Sequence, residues 1–349
     1  MRDKLSAPVR VGVVGCGGAS QIIHLPILSR NPKVELRAVC DIDIRKASVI
    51  ANRFSIPHVF GEIEEMVSHV ELDAVFIVTP NNMHLPMSLI ALREGLHVFI
   101  ERPAARNAAE TRRIARTADE HDCSVMVGMN SRFREDIRQL KDIIARKTLG
   151  DVFLIKSDWL QAKFIASKQP WWLSKRIAGG GVLLDLGSQL IDTSWWLTGR
   201  PRLESVKAIS QQINPDIDVD DCCCFLMTFS NKLKLACHIS WYFPIRSDRF
   251  HAEIYAQHGY STLNPYRVET TWRDKFKDIT PSAPTDGRTL FNLAYESEIS
   301  HFINYLLGDE PELNSDIHEA LQVMEMLELT YQSLEKGKEI IVNGTQAKK

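Results

Sequence analysis

The sequence predicts an α/β N-terminal domain built on a doubly wound parallel sheet, followed by an α+β domain with a large open, mostly antiparallel sheet. Three observations carry this reading. From residue 9 to about 128, continuous apolar strand runs alternate with helical stretches, as in a parallel sheet covered on both faces. A glycine-rich turn separates the first strand from the first helix. Beyond about residue 130 the strand candidates lengthen and helices become sparse. The boundary is placed between 130 and 131, giving domains 1–130 and 131–349.

Val9–Val14 is rich in β-branched residues and reads as a buried strand. It stops at Gly15-Cys16-Gly17-Gly18, and a helical stretch over 19–30 follows. Gly15 would supply the tight turn and Gly17 would let a pyrophosphate approach bare backbone. The amides through Gly18, Ala19 and Ser20 would meet the phosphate charge. Ser20 stands at the third fingerprint position, where Gly or Ala is usual. A second strand, 34–40, ends at Asp41, 21 residues after Ser20. An acidic side chain there is expected to accept hydrogen bonds from an adenosine ribose. A ribose-binding Asp41 would repel a 2′-phosphate, so NAD is expected, with NADP as the alternative because Arg45 lies close by. Ile42 and Arg45 are further candidate cofactor contacts.

The remaining strands of this half are read at 58–60, 73–78, 96–100 and 124–128, with helices near 43–54, 84–94 and 107–121. Each crossover should be right-handed. In the second half a helix near 133–147 leads into strands at 151–160, 203–212, 222–230, 233–242 and 250–257. Ser230-Asn231 is a short polar link that predicts an antiparallel hairpin. Helices are expected near 181–198, 290–307 and 315–336.

Composition narrows the function classes. Of 349 residues 44% are apolar and 25% charged, and the formal net charge is −2 with no block of like charge. Nothing here favours nucleic acid or an anionic membrane. The N-terminus lacks a signal-peptide core and no window approaches the ~18 apolar residues of a membrane span, so a cytoplasmic location is expected. Seven cysteines agree with a reducing compartment. Cys16, Cys40, Cys123 and Cys237 sit in or beside strand-like runs and read as small core residues. In Cys222-Cys223-Cys224, neighbouring strand side chains point to opposite faces and cannot converge on one metal. No paired C-x-x-C and no H-E-x-x-H is present, so no metal site is expected.

Two later blocks carry a resemblance. Asp73–Pro103 reads DAVFIVTPNNMHLPMSLIALREGLHVFIERP, and Gly179–Asp192 reads GGGVLLDLGSQLID. Together with the glycine turn and Asp41, the chain resembles the glucose–fructose oxidoreductase/inositol dehydrogenase/rhizopine-catabolism family over roughly residues 9–340. The resemblance implies an N-terminal Rossmann domain, a C-terminal domain with an open sheet, and a substrate site under the nicotinamide. It also implies a homodimer or homotetramer joined through that sheet. Thr79, Pro80, Asn81 and His84 match the family's T-P-N-x-x-H segment, which borders the nicotinamide. Glu101-Arg102-Pro103 matches its Glu-Lys-Pro, and Asp185 and Gln189 match the Asp and His of its D-x-G-x-H.

Two departures stand out. In the family the Lys, Asp and His form the usual catalytic set, with the His exchanging a proton with the substrate hydroxyl. Here Arg102 keeps the positive charge but does not give up a proton near neutral pH. Gln189 can hydrogen-bond but has no second charge state. Such acid–base assistance is typically worth ~10²–10⁴-fold. A guanidinium fork suits a carboxylate or phosphate, which points to an acidic substrate.

Asp185 and Gln189 lie one helical turn apart and should reach the same pocket. His84 and Lys163 are the first candidates for the missing proton carrier. His238 and Tyr242, which share a strand face, are weaker ones. Trp172 falls where a cofactor-side contact is expected, although tryptophans are more often core. The leading expectation is hydride transfer between nicotinamide and a sugar, cyclitol or related small polar substrate. The alternatives are a non-catalytic dinucleotide sensor and a non-redox enzyme that recycles its NAD.

Overall fold

Six strands pair in parallel near the N-terminus: β1 (Val9–Val14), β2 (Val34–Cys40), β3 (His58–Phe60), β4 (Ala74–Ile77), β5 (His97–Glu101) and β6 (Val125–Gly128). Their order is β3-β2-β1-β4-β5-β6, with the reversal between β1 and β4. That is the doubly wound order in which ligands bind outside the carboxyl ends of the strands. The computed structural model describes residues 5–162, 170–273, 275–284 and 286–342.

Burial explains the strands. Val11, Val13, Val75, Phe76, Phe99 and Ile100 are all fully buried, as a sheet covered on both faces requires. The expected helices are found at Ile44–Phe54, His84–Arg93 and Ala108–Glu120. Asp43 and Asn107 cap two of them by accepting the N–H groups of Lys46 and Glu110. A short helix at Ile63–His69, which the sequence reading passed over, buries Ile63 and Met66.

The chain forms two compact units, residues 1–133 with 291–322, and residues 134–290 with 323–349. The first crossing falls close to the expected boundary, but a continuous second domain from 131 onward does not describe the chain. The reason is apolar. Ala294, Ile299, Phe302, Ile303 and Leu306 join the core formed by one face of the parallel sheet. Phe302 is fully buried with its ring edge-on to Phe76 and Phe99, at centroid distances of 5.6 and 5.8 Å.

The second unit is built on nine strands: β7 (Val152–Ala162), β8 (Leu203–Ser210), β9 (Cys222–Phe229), β10 (Lys234–Phe243), β11 (Arg249–Ala256), β12 (Gly259–Leu263), β13 (Arg267–Trp272), β14 (Lys275–Asp278) and β15 (Ile340–Ile341). Their order is β14-β13-β12-β11-β7-β10-β9-β8-β15. All neighbours are antiparallel except β7 and β10. The β9–β10 hairpin turns over three residues rather than two. The Phe229 N–H donates to Leu233 O, and Lys232 takes φ +70°. A left-handed third residue is what a three-residue hairpin needs.

In β9 the burial alternates, with Cys223 buried and Cys222 and Cys224 half-buried. Cys16, Cys40, Cys123 and Cys237 are buried free thiols. Among the described residues no cluster of His, Cys, Asp and Glu could hold a metal, and no helix is long and apolar enough to cross a membrane.

If residues 291–322 complete the first core, Phe302→Ala costs about 3–5 kcal/mol. The measurement is the urea midpoint, and a loss under about 1 kcal/mol would mean that the segment only covers the surface.

Candidate functional site

The glycine turn leaves β1 at the carboxyl edge of the sheet. Gly15 has φ +94°, and a Cβ there would come 2.3 Å from Val78 O, so neither the conformation nor the space admits a side chain. At Gly17 and Gly18 a Cβ would meet nothing within 4 Å, so the backbone faces open space. The helix after the turn opens as a π-helical turn, Ser20–His24, before Leu25–Leu28. Ser20 is fully buried and its hydroxyl donates to Gly15 O, which explains a serine at the third fingerprint position.

Asp41 anchors the turn. Its Oδ2 accepts the Cys16 N–H at 2.7 Å and lies 2.9 Å from Lys46 Nζ, while Oδ1 accepts the Asp43 N–H at 2.9 Å. Burial alone would raise this carboxyl, but the bonds from Lys46, Cys16 and Asp43 outweigh it and hold it below its usual range. Ile42, 90% exposed, and exposed Arg45 follow on the surface.

The exits of β4 and β5 are strapped together. His84 is fully buried, with Nδ1 2.9 Å from Pro103 O and Nε2 2.9 Å from Thr79 O. Burial pushes its pKa down, and the two carbonyls and the Glu101 charge offset only part of that. Both ring nitrogens lie against carbonyl oxygens and out of solvent, and the neutral ring donates its single N–H to one of them, so the histidine considered as a proton carrier is a structural strap in this fold. Asn81 is buried in the short turn Asn81–Met83, and Pro80 is half-buried ahead of it. The hydroxyl of Thr79 is buried beside Gly15 without a hydrogen-bond partner.

At the end of β5, Glu101 Oε1 lies 2.7 Å from Nε2 of the buried His24, and its Oε2 accepts the Arg102 N–H at 3.1 Å. Burial would raise the Glu101 carboxyl, but the bond and charge of His24, with the charge of Arg102, bring it below its usual range. Arg102 is half-buried and its peptide bond to Pro103 is cis.

The second unit holds the other expected residues. Asp185 lies in a π-helical turn, Leu183–Gly187, and Gln189 in the helix Ser188–Leu197 that continues it. The Trp241 indole N–H donates to Asp185 Oδ2 at 3.0 Å, and Gln189 is buried. The glycine triplet before them has a structural cause. A Cβ on Gly180 would come 2.2 Å from the Tyr331 hydroxyl, and one on Gly181 1.8 Å from Asp220 O. Asp220 accepts the N–H groups of Gly181 and Leu183 at 2.9 and 2.7 Å, and the Tyr331 hydroxyl at 2.9 Å. The triplet therefore needs no ligand to explain it.

Trp172 is 39% exposed and edge-on to Trp171. His238 is half-buried against the Phe243 ring, and Tyr242 is buried. Lys163 lies outside the described residues.

A family profile described as an oxidoreductase family with an NAD-binding Rossmann fold matches residues 9–129, and one for the GFO/IDH/MocA C-terminal domain matches residues 137–261. The chain belongs to the GFO/IDH/MocA oxidoreductase family. Within it, the chain is similar to the D-glucoside 3-dehydrogenase of Escherichia coli K12, 29% identical over 210 residues and 59% of each chain. It is also similar to the rhizopine catabolism protein MocA of Rhizobium meliloti, 26% identical over 309 residues, 86% of this chain and 88% of that one. The match thus spans less than two thirds of the glucoside dehydrogenase, and 57% of scyllo-inositol 2-dehydrogenase (NADP(+)) IolW of Bacillus subtilis. The fold is shared with GenD2 from gentamicin A biosynthesis in complex with NAD, at TM-score 0.84, 24% identity and 98% of both chains. Levoglucosan dehydrogenase with NADH and L-sorbose superposes at 0.85, with 19% identity over 96% of this chain and 99% of that one.

The residues of this GFO/IDH/MocA chain fit a dinucleotide. Open space faces Gly17 and Gly18, an ionised carboxylate stands at the end of β2, and the Thr79 hydroxyl has an unfilled bond. Four residues escaped the sequence reading: His24, Lys46, Asp220 and Trp241. The fold brings each to its partner across a long stretch of chain or a helix entry, and no local motif marks them.

His84 yields a stability prediction. His84→Ala leaves unsatisfied the carbonyl that accepts the ring N–H, empties a fully buried site and costs about 2–4 kcal/mol at neutral pH. Because the folded pKa lies below 6.5, the wild type keeps this contribution above that pH. It loses it as the pH falls, when the unfolded chain takes up a proton that the folded ring resists. Denaturation between pH ~6.5 and ~5 should show a steeper decline for wild type than for His84→Gln. Equal slopes would refute the buried neutral strap.

Proposed function

We propose that this chain is an NAD(H)-dependent oxidoreductase that moves a hydride to or from a carbon of a sugar, a cyclitol or a related small polar substrate. One observation carries the reading: the open backbone at Gly17–Gly18 beside an ionised Asp41 that is bonded to the turn itself. Relatives named for glucoside, scyllo-inositol and rhizopine chemistry support the substrate class. Bound NAD would supply the hydride acceptor or donor. The protein's own groups would do the rest. Gly15, Gly17, Gly18, Ala19 and Ser20 would hold the pyrophosphate, and Asp41 the adenosine ribose, with Ile42 and Arg45 beside it. Thr79, Pro80, Asn81, Glu101 and Trp172 would border the cofactor.

Arg102 would stabilise negative charge on the reacting oxygen, and its fork favours a substrate that carries a carboxylate. Asp185, oriented by Trp241, and Gln189 would accept and donate hydrogen bonds to substrate hydroxyls. With His84 engaged as a strap, Lys163 is the first proton carrier of the proposal, ahead of His238 and Tyr242.

A second reading has a specific observation in its favour. Arginine and glutamine stand where the family pattern has titratable Lys and His, as in a dinucleotide sensor or a non-redox enzyme that recycles its NAD. NADH fluorescence titration followed by a panel of sugars, cyclitols, sugar acids and keto acids decides between them. The expected result is NADH binding with turnover, strongest on acidic members of the panel, and Asp41→Asn weakening NADH about tenfold. Binding with no redox turnover would favour the second reading. No binding would remove both.

We further propose that the chain self-associates through the exposed face of its second sheet. Ile209, 64% exposed, and Leu226, 47% exposed, line a shallow depression there with Cys224, Ala236 and His238. Sedimentation should show a dimer or tetramer for the wild type and monomer for Leu226→Lys. A monomeric wild type would overturn this.

A further inference from the structure

We propose that Lys46 sets the cofactor preference by competing with the ribose for Asp41, so that this site accepts NADP(H) as well as NAD(H). The inference rests on the reading that Asp41 takes the adenosine ribose, and it concerns a residue that no motif marks.

Counting acceptors leads to it. A carboxylate offers about four lone-pair positions. On Asp41, Oδ1 accepts the Asp43 N–H at 2.9 Å. Oδ2 accepts the Cys16 N–H at 2.7 Å and faces the Lys46 ammonium at 2.9 Å. One position remains, on Oδ1, and a ribose diol brings two hydroxyls. One donor must therefore leave for both hydroxyls to bind. The two backbone donors are fixed by the glycine turn and by the entry to the helix Ile44–Phe54. Lys46 is the donor that can swing away, because its side chain is flexible and 39% exposed.

Charge gives the second half. An isolated carboxylate at this position repels a 2′-phosphate. Here Asp41 is paired with an ammonium, so a 2′-phosphate meets a neutral pair. Lys46 lies in the first turn of its helix with exposed Arg45 next to it. There the positive end of the helix adds to both side-chain charges. With NAD bound, Lys46 gives up Asp41 to the ribose. With NADP bound, it keeps Asp41 and donates a second N–H to the phosphate.

The two cofactors should then respond in opposite directions to removal of the ammonium, which a merely structural role would not produce. NADH and NADPH are titrated by nicotinamide fluorescence into wild type, Lys46→Met and Lys46→Arg, with thermal melts as a check on folding. For wild type the two Kd values are expected within about tenfold of each other. Lys46→Met should bind NADH about 2–5-fold more tightly and NADPH about tenfold more weakly, while Lys46→Arg keeps NADPH affinity. Parallel weakening of both nucleotides in Lys46→Met, or no change in their ratio, would overturn the competition. If wild type bound NADH and excluded NADPH, dual acceptance would be overturned while the cofactor site stood. If it bound neither, the cofactor site itself would fall, and this inference with it.

Discussion

The carboxylate of Asp41 ties the end of β2 to the turn that leaves β1. The Gly15 N–H donates to Cys40 O at 2.8 Å and the Cys16 N–H to Asp41 itself, so the turn is held at two consecutive amides by the strand beside it. A buried ion is costly to desolvate, and here backbone donors and one ammonium offset that cost. What remains is an anion locked in place, next to bare glycine backbone. The proposed pyrophosphate and ribose contacts both depend on this tie, because it fixes the turn and the carboxylate together.

The same logic recurs at β4 and β5. His84 bridges two carbonyls from the loops that follow these strands, and Glu101, backed by His24, receives the amide of Arg102. Buried polar groups with such partners hold loops to one conformation, because any other arrangement leaves them unsatisfied. Two of the helices that carry candidate residues begin with a π-helical turn, Ser20–His24 and Leu183–Gly187. Such turns are rare and concentrate at functional sites. Here they follow glycine-containing entries that side chains would block at Gly15, Gly180 and Gly181.

Buried parallel strands were the most legible part of the sequence, because β4 and the middle of β5 are apolar on both faces, β1 nearly so, and all are punctuated by turns. The strands β12 to β15 were not anticipated. They are short, and β14 is exposed along its whole length, so neither periodicity nor apolar content marks them. The return of residues 291–322 to the first core was invisible for another reason. An amphipathic pattern says that a helix buries a face, not which core receives it. At the site, Gly15 and Asp41 could be found because their chemistry is local to a turn and a strand end. His84 was found for its type and misjudged in role, since the carbonyls that claim it come from Pro103, 19 residues on, and from Thr79.

On the proposed reading, the pair Arg102 and Gln189 sets what chemistry the site would support. A lysine can both polarise a substrate oxygen and exchange a proton, whereas an arginine keeps the first ability and lacks the second. Fixed positive charge beside a developing oxyanion is often the larger contribution to catalysis, and it survives the replacement. Proton exchange by a positioned side chain is typically worth ~10²–10⁴-fold, and a glutamine side chain has no second charge state with which to supply it. A substrate whose reacting hydroxyl is acidified by a neighbouring carbonyl would need least from that step. A carboxylate elsewhere on the substrate is what a guanidinium recognises best. On the proposed reading the two replacements together favour an acidic substrate over a simple neutral sugar.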